Sequence, residues 1–185
     1  MFEDMVKFGR DIFIQGLNDS HSGNISIRRD DRIYITRHGA RTGGLSFDDI
    51  VAVNLNDAKR DGGASMETKV HRAVYLANPG VSAVVHAHPP HAIALSLNWD
   101  RIIPVDAEGK FYFTEIPVLA GCGDAISSDC VAELLPVMFA KYRVVMVKGH
   151  GSFAAGKDLE EAYLYTSACE SASKIVMLDR TVRLM

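Results

Sequence analysis

The chain has 185 residues, of which 48% are hydrophobic and 23% charged, and its 20 Lys and Arg against 23 Asp and Glu give a formal net charge of −3. That length supports one domain with a real core, and the composition excludes disordered, collagen-like and coiled-coil chains. The near-neutral balance removes the usual electrostatic basis for binding nucleic acid, and no apolar run approaches the ~18 residues that span a bilayer.

From the N-terminus, Phe2, Met5, Phe8, Ile12 and Phe13 fall close to helical spacing, and Gly16 with Asn18-Asp19-Ser20 reads as the stop of a first helix over residues 1–16. Residues 24–28 and 32–36 are β-like runs around the turn-forming Asp30-Asp31, and residues 50–54 read as a further strand. Ser65 reads as the N-cap of a helix over residues 66–77 that Pro79-Gly80 ends. The β-branched run VSAVVHAH predicts a strand over residues 81–88, followed by a helix over residues 91–98. Strands are predicted over residues 101–105 and 111–119 around an Asp106-Ala107-Glu108-Gly109 turn, with Tyr112 taken as a strand aromatic. A helix over residues 127–140, a buried strand over 143–147 and a final amphipathic helix over 159–178 complete the reading. Hairpins interleaved with helices predict an α/β fold of the α+β type, a mainly antiparallel central sheet flanked by helices, in one domain over residues 1–185.

Cys122, Cys130 and Cys169 are odd in number and contain no CxxC pair, so the sequence suggests neither a disulfide framework nor a thiolate zinc site. A reducing, cytoplasmic compartment follows as the expectation, and the acidic N-terminal segment lacks the apolar core of a signal peptide.

The chemistry concentrates on histidines. In His86-Ala87-His88 the i, i+2 spacing on a strand sends both imidazoles to one side, which suits a divalent ion or, equally, a pair bonded to loop carbonyls. His150, between glycines directly after a buried strand, is a third metal-ligand candidate or a turn histidine. Glu67 fits a fourth ligand, an acid/base beside the metal, or a first-turn glutamate complementing the helix dipole. Glu67 with His71 at i, i+4 also fits a metal pair or a surface ion pair.

Four segments, Ser22-Gly23-Asn24-Ile25-Ser26, Ser65-Met66-Glu67 with His71, Val84-Val85-His86-Ala87-His88-Pro89-Pro90, and Gly149-His150-Gly151, resemble in order and spacing the class II aldolase/adducin family. The resemblance implies one Zn²⁺ per subunit on His86, His88 and His150, with Glu67 both approaching the metal and serving as catalytic acid/base. It implies an anion site for a substrate phosphate at Gly23, Asn24, His38, Gly39 and Ser65, which suits glycine loops exposing N–H groups. His38 stands where the family commonly has a threonine and Met66 where it has a second serine, with Arg37 or Arg41 compensating by charge. The implied reaction is zinc-dependent cleavage of a fuculose-1-phosphate-like ketose 1-phosphate to dihydroxyacetone phosphate and an aldehyde through a stabilised enediolate. A related dehydratase, 4-epimerase or decarboxylase, a zinc hydrolase and a metal-free adducin-like binding domain are the alternatives. The family also implies a homotetramer with active sites at subunit interfaces, binding a small sugar phosphate, while the charge balance and hydropathy above predict neither nucleic acid nor membrane as a partner.

Overall fold

Short β-branched runs separated by tight turns build a single sheet, and the amphipathic segments between them cover its two faces. The structure, a computed structural model, describes the chain apart from residues 124, 125 and 127, with the backbone alone at residue 60. In chain order the elements are α1 (Phe2–Ile14), β1 (Asn24–Arg29), β2 (Arg32–Thr36), β3 (Ile50–Asn54), α2 (Thr68–Ala77), β4 (Ala83–Ala87) and α3 (Pro90–Ser96). There follow β5 (Arg101–Ile102), α4 (Ala107–Tyr112), β6 (Ile116–Leu119), α5 (Asp129–Met138), β7 (Val144–Val147), β8 (Gly151–Gly156) and α6 (Leu159–Arg183). The eight strands run in the order β3-β2-β1-β4-β8-β7-β6-β5. Among the described residues only β6 and β7 pair in parallel, so the sheet is mainly antiparallel, as the pattern predicts.

Strand alternation sorts the core. Val84 and Phe153 pack with Val70, Val74 and Tyr75 of α2 and Leu135 of α5 on one face. Ala83, Val85 and Ala87 join Met5, Phe8 and Ile12 of α1 on the other. Farther along the sheet, Val144, Met146 and Ala154 pack with Ala92 of α3 and Cys169 and Val176 of α6. Among the described residues no helix is long and apolar enough to cross a membrane.

Four expectations are corrected. Residues 107–112 are helical rather than a turn leading into a strand, because the Asp106 carboxylate accepts the Gly109 N–H at 2.9 Å and caps α4. Tyr112 therefore sits on that helix, edge-on to Phe111 and Tyr165. The helix after Ser65 starts at Thr68: Ser65 caps a preceding turn, its Oγ accepting Glu67 N–H at 3.2 Å and its carbonyl accepting Thr68 N–H at 3.1 Å. Strand β8, Gly151–Gly156, is additional: around Phe153 its residues are small and carry little β signal. The predicted start of α5 at Ser127 lies outside the described residues.

The fourth correction is covalent: Cys122 and Cys130 form a disulfide, and Cys169 alone is free and buried. The bond ties the segment after β6 to the first turn of α5, which packs against α2. With a sequence separation of 8, loop-closure entropy puts its contribution at about 2–3 kcal/mol. Reduction, or Cys130→Ser, is expected to lower unfolding stability by that amount in denaturant titrations with and without reductant.

Candidate metal centre

Strand β4 carries His86 and hands the chain to His88 one residue beyond its end. His86 shares the Val84 face, towards α2, and lies opposite Phe153 on β8 and Asn24 on β1. Its ring stacks on Phe153 with centroids 4.1 Å apart and an interplanar angle of 18°. Its Nδ1 lies 2.9 Å from the Ser152 carbonyl. A carbonyl only accepts, so Nδ1 carries the proton and Nε2 keeps its lone pair for a ligand. The loop-carbonyl and metal readings of this histidine are thus two halves of one arrangement.

His88 Nε2 stands 3.1 Å from His86 Nε2, close to the separation of about 3.3 Å between two nitrogens bound tetrahedrally to one zinc. The turn between β7 and β8 brings in His150, and ligand atoms of the three histidines all lie within 4.8 Å of one another. Burial, reinforced by the His88 and His150 rings, pushes the His86 imidazole well below its ordinary range, and burial also lowers His88 against the opposing field of Asp19. Neutral imidazole is the form that binds a metal. Three clustered imidazoles, with His86 and His88 held in the neutral form and one tautomer fixed, therefore fit Zn²⁺.

The close approach rests on Gly151, where a Cβ would meet the Ala87 carbonyl oxygen at 2.5 Å and His88 Cδ2 at 2.6 Å. Backbone on one side and a candidate ligand on the other leave no room to relax. Gly151→Ala is expected to cost about 1–3 kcal/mol of stability and to weaken zinc binding, read by thermal melts and metal titration together.

Glu67 is buried, 4% exposed, at the N-cap position of α2. Its side chain makes no cap bond to its own helix, so capping is not its use here. It lies outside the three-histidine cluster. A surface ion pair with His71 is not formed either, because His71 is fully buried and burial pushes its imidazole down to about 3.

The remaining predicted residues gather at the same end of the sheet. Asn24 is buried at the start of β1 beside His86. His38 and Gly39 lie in the exposed turn after β2, where His38 N–H bonds the Gly63 carbonyl at 2.9 Å. Ser65 joins them through its N–H to the Thr36 carbonyl at 3.1 Å. Gly23 has φ +70° and would place a Cβ 2.2 Å from Asn18 Nδ2. Arg37 is engaged by Asp49 at 2.6 Å, and Arg41 is exposed in the segment that follows.

Sequence reasoning misses Asn18, taken above as a helix stop. It is buried, and its Oδ1 accepts the His88 N–H at 3.0 Å while the Leu17 carbonyl accepts the same proton at 2.7 Å. This pair fixes the chain where β4 ends and His88 begins. Ser152 is missed too, since its carbonyl acts from a strand that carries no chemical motif.

A solved structure titled l-fuculose-1-phosphate aldolase, from Thermus thermophilus, superposes with a TM-score of 0.92 at 34% identity, covering 97% of this chain and 93% of that one. The L-fuculose phosphate aldolase of Methanocaldococcus jannaschii is 25% identical over 181 residues, covering 98% of each chain. Methylthioribulose-1-phosphate dehydratase of Pseudomonas aeruginosa is 27% identical over 184 residues, covering 91% of this chain and 89% of the relative. Residues 3–177 match the family described as Class II Aldolase and Adducin N-terminal domain, and the chain, with its histidine cluster at the end of an antiparallel sheet, belongs to that family.

Proposed function

We propose that the protein is a zinc-dependent lyase that cleaves a ketose 1-phosphate to dihydroxyacetone phosphate and an aldehyde. The observation that carries this reading is the convergence of His86, His88 and His150 with the His86 tautomer already set for a ligand. These three histidines, with Glu67 approaching, hold one Zn²⁺ per subunit, and the bound ion supplies Lewis acidity for negative charge developing on a substrate oxygen. Glu67, in a buried turn at the same end of the sheet, moves the proton at the carbon beside that oxygen. Gly23, Asn24, His38, Gly39 and Ser65 bind the phosphate, through the Gly23 and Gly39 N–H groups and the Asn24, His38 and Ser65 side chains, since the His38 and Ser65 N–H groups are bonded to the Gly63 and Thr36 carbonyls. The reading includes a single-domain subunit over residues 1–185, a homotetramer and a cytoplasmic location, the last no longer supported by the cysteines, since Cys122 and Cys130 are bonded.

A dehydratase acting on a similar sugar phosphate is the second reading, favoured by the likeness to the Pseudomonas aeruginosa protein. A panel of fuculose 1-phosphate, ribulose 1-phosphate and methylthioribulose 1-phosphate separates the two. Triose phosphate release from either of the first two supports the aldolase, loss of water from the third supports the dehydratase, and no turnover of any overturns both.

A further inference from the structure

Behind the histidine cluster lies a buried polar chain that the proposed reaction does not use. Ser26 Oγ on β1 is 2.7 Å from His71 Nδ1 and 2.7 Å from the Tyr75 hydroxyl, and that hydroxyl is 3.0 Å from the Ser26 carbonyl. All three residues are fully buried. His71 Nε2 is also buried and has no hydrogen-bond partner among the described residues.

Counting protons assigns the direction of every bond. The Ser26 carbonyl only accepts, so the phenolic proton of Tyr75 goes there. The contact between the two hydroxyls then takes the Ser26 proton, with the Tyr75 oxygen accepting. The third contact has one proton left to fill it, and His71 must supply it from Nδ1. With His71 neutral, Nε2 is therefore an unprotonated acceptor. The reverse tautomer leaves one of the three contacts as two facing lone pairs in a dry interior, an arrangement that buried polar groups avoid.

Position gives this tautomer a consequence. His71 is one helical turn beyond Glu67, its N–H bonding the Glu67 carbonyl at 3.1 Å, and helical side chains lean over the preceding turn. Its ring also stands edge-on to Phe153, 5.9 Å between centroids, the residue that stacks on His86. An Nε2–H in that place would offer a donor towards the turn that carries Glu67 and so compete for its carboxylate. A lone pair offers that carboxylate no such bond.

We propose that His71 is a positioning residue, locked as its Nδ1–H tautomer by the Ser26 and Tyr75 hydroxyls, which keeps Glu67 directed to the metal centre. The role rests on the zinc reading given above, whereas the tautomer does not. The test is nitrogen-15 NMR of the histidine side chains in wild type and Tyr75→Phe, with zinc affinity measured on both. In wild type, His71 should show a proton on Nδ1 and none on Nε2. Tyr75→Phe removes the acceptor of the Ser26 proton, so that proton turns to His71 Nδ1, the imidazole proton moves to Nε2, and zinc affinity falls about tenfold. A purely structural role for Tyr75 would change stability and leave the tautomer alone. An Nε2–H signal in wild type overturns the proposal, and that measurement needs no folded variant. A tautomer shift without loss of zinc affinity overturns the positioning role. Failure of wild type to bind zinc, with the Nδ1–H signal present, overturns the metal reading and the role that depends on it.

Discussion

Replacing His86 by alanine is expected to abolish the stabilisation that zinc gives the wild-type protein. At an ion concentration about a thousandfold above the dissociation constant, binding to the native state alone adds about 4 kcal/mol, and a melting curve with and without zinc reads it directly. His86 is the decisive ligand because it is the most deeply buried of the three, 2% exposed, and its Nδ1 is tied to Ser152 so that Nε2 needs no reorganisation. Its removal leaves His88 and His150, one past a strand end and one in a turn, with nothing between them at the 3.1 Å donor spacing. The metal-free variant should keep its circular dichroism spectrum, since the backbone of β4 remains paired on both sides. An undiminished zinc-dependent shift in melting temperature for His86→Ala would remove this histidine from the site.

The second large effect is expected from Glu67→Gln. The amide keeps the size of the carboxyl and can no longer take a proton from carbon. Turnover should fall by about 10²–10⁴-fold, the usual contribution of a positioned general base. Zinc stoichiometry should persist on the three histidines, which already cluster without Glu67. A fall in kcat with KM little changed would place the loss in the proton transfer rather than in phosphate binding, because the loop residues proposed for the phosphate are untouched. Wild-type turnover by this variant would take Glu67 out of the acid/base role.

Local signals in the sequence carry most of the fold. The β-branched run ending in His86-Ala87-His88 predicts both the buried strand and the convergence of two imidazoles, because period-two alternation is a property of the backbone itself. The same logic misleads at Phe111-Tyr112-Phe113, where aromatic residues suggest a strand and the Asp106 cap starts a helix instead. Gly151–Gly156 is illegible for the opposite reason: apart from Phe153 its residues are small, Gly151 so that β8 can approach β4, and one aromatic among small residues leaves no hydrophobic pattern. The supports of the site are beyond local reading. Asn18 meets His88 across 70 positions, Ser26 meets His71 across 45, and Ser152 meets His86 across 66; no spacing rule links them. The pairing of Cys122 with Cys130 is likewise a matter of three-dimensional proximity, which a count of three cysteines does not contain.

The most direct test of the metal centre is X-ray absorption at the zinc edge of the zinc-loaded protein. The structure predicts one ion per chain in a shell of nitrogen and oxygen alone, with the multiple-scattering signature of three imidazoles and zinc–nitrogen distances of about 2.0–2.1 Å. A sulfur ligand, fewer than three imidazoles, or no specifically bound zinc would contradict it.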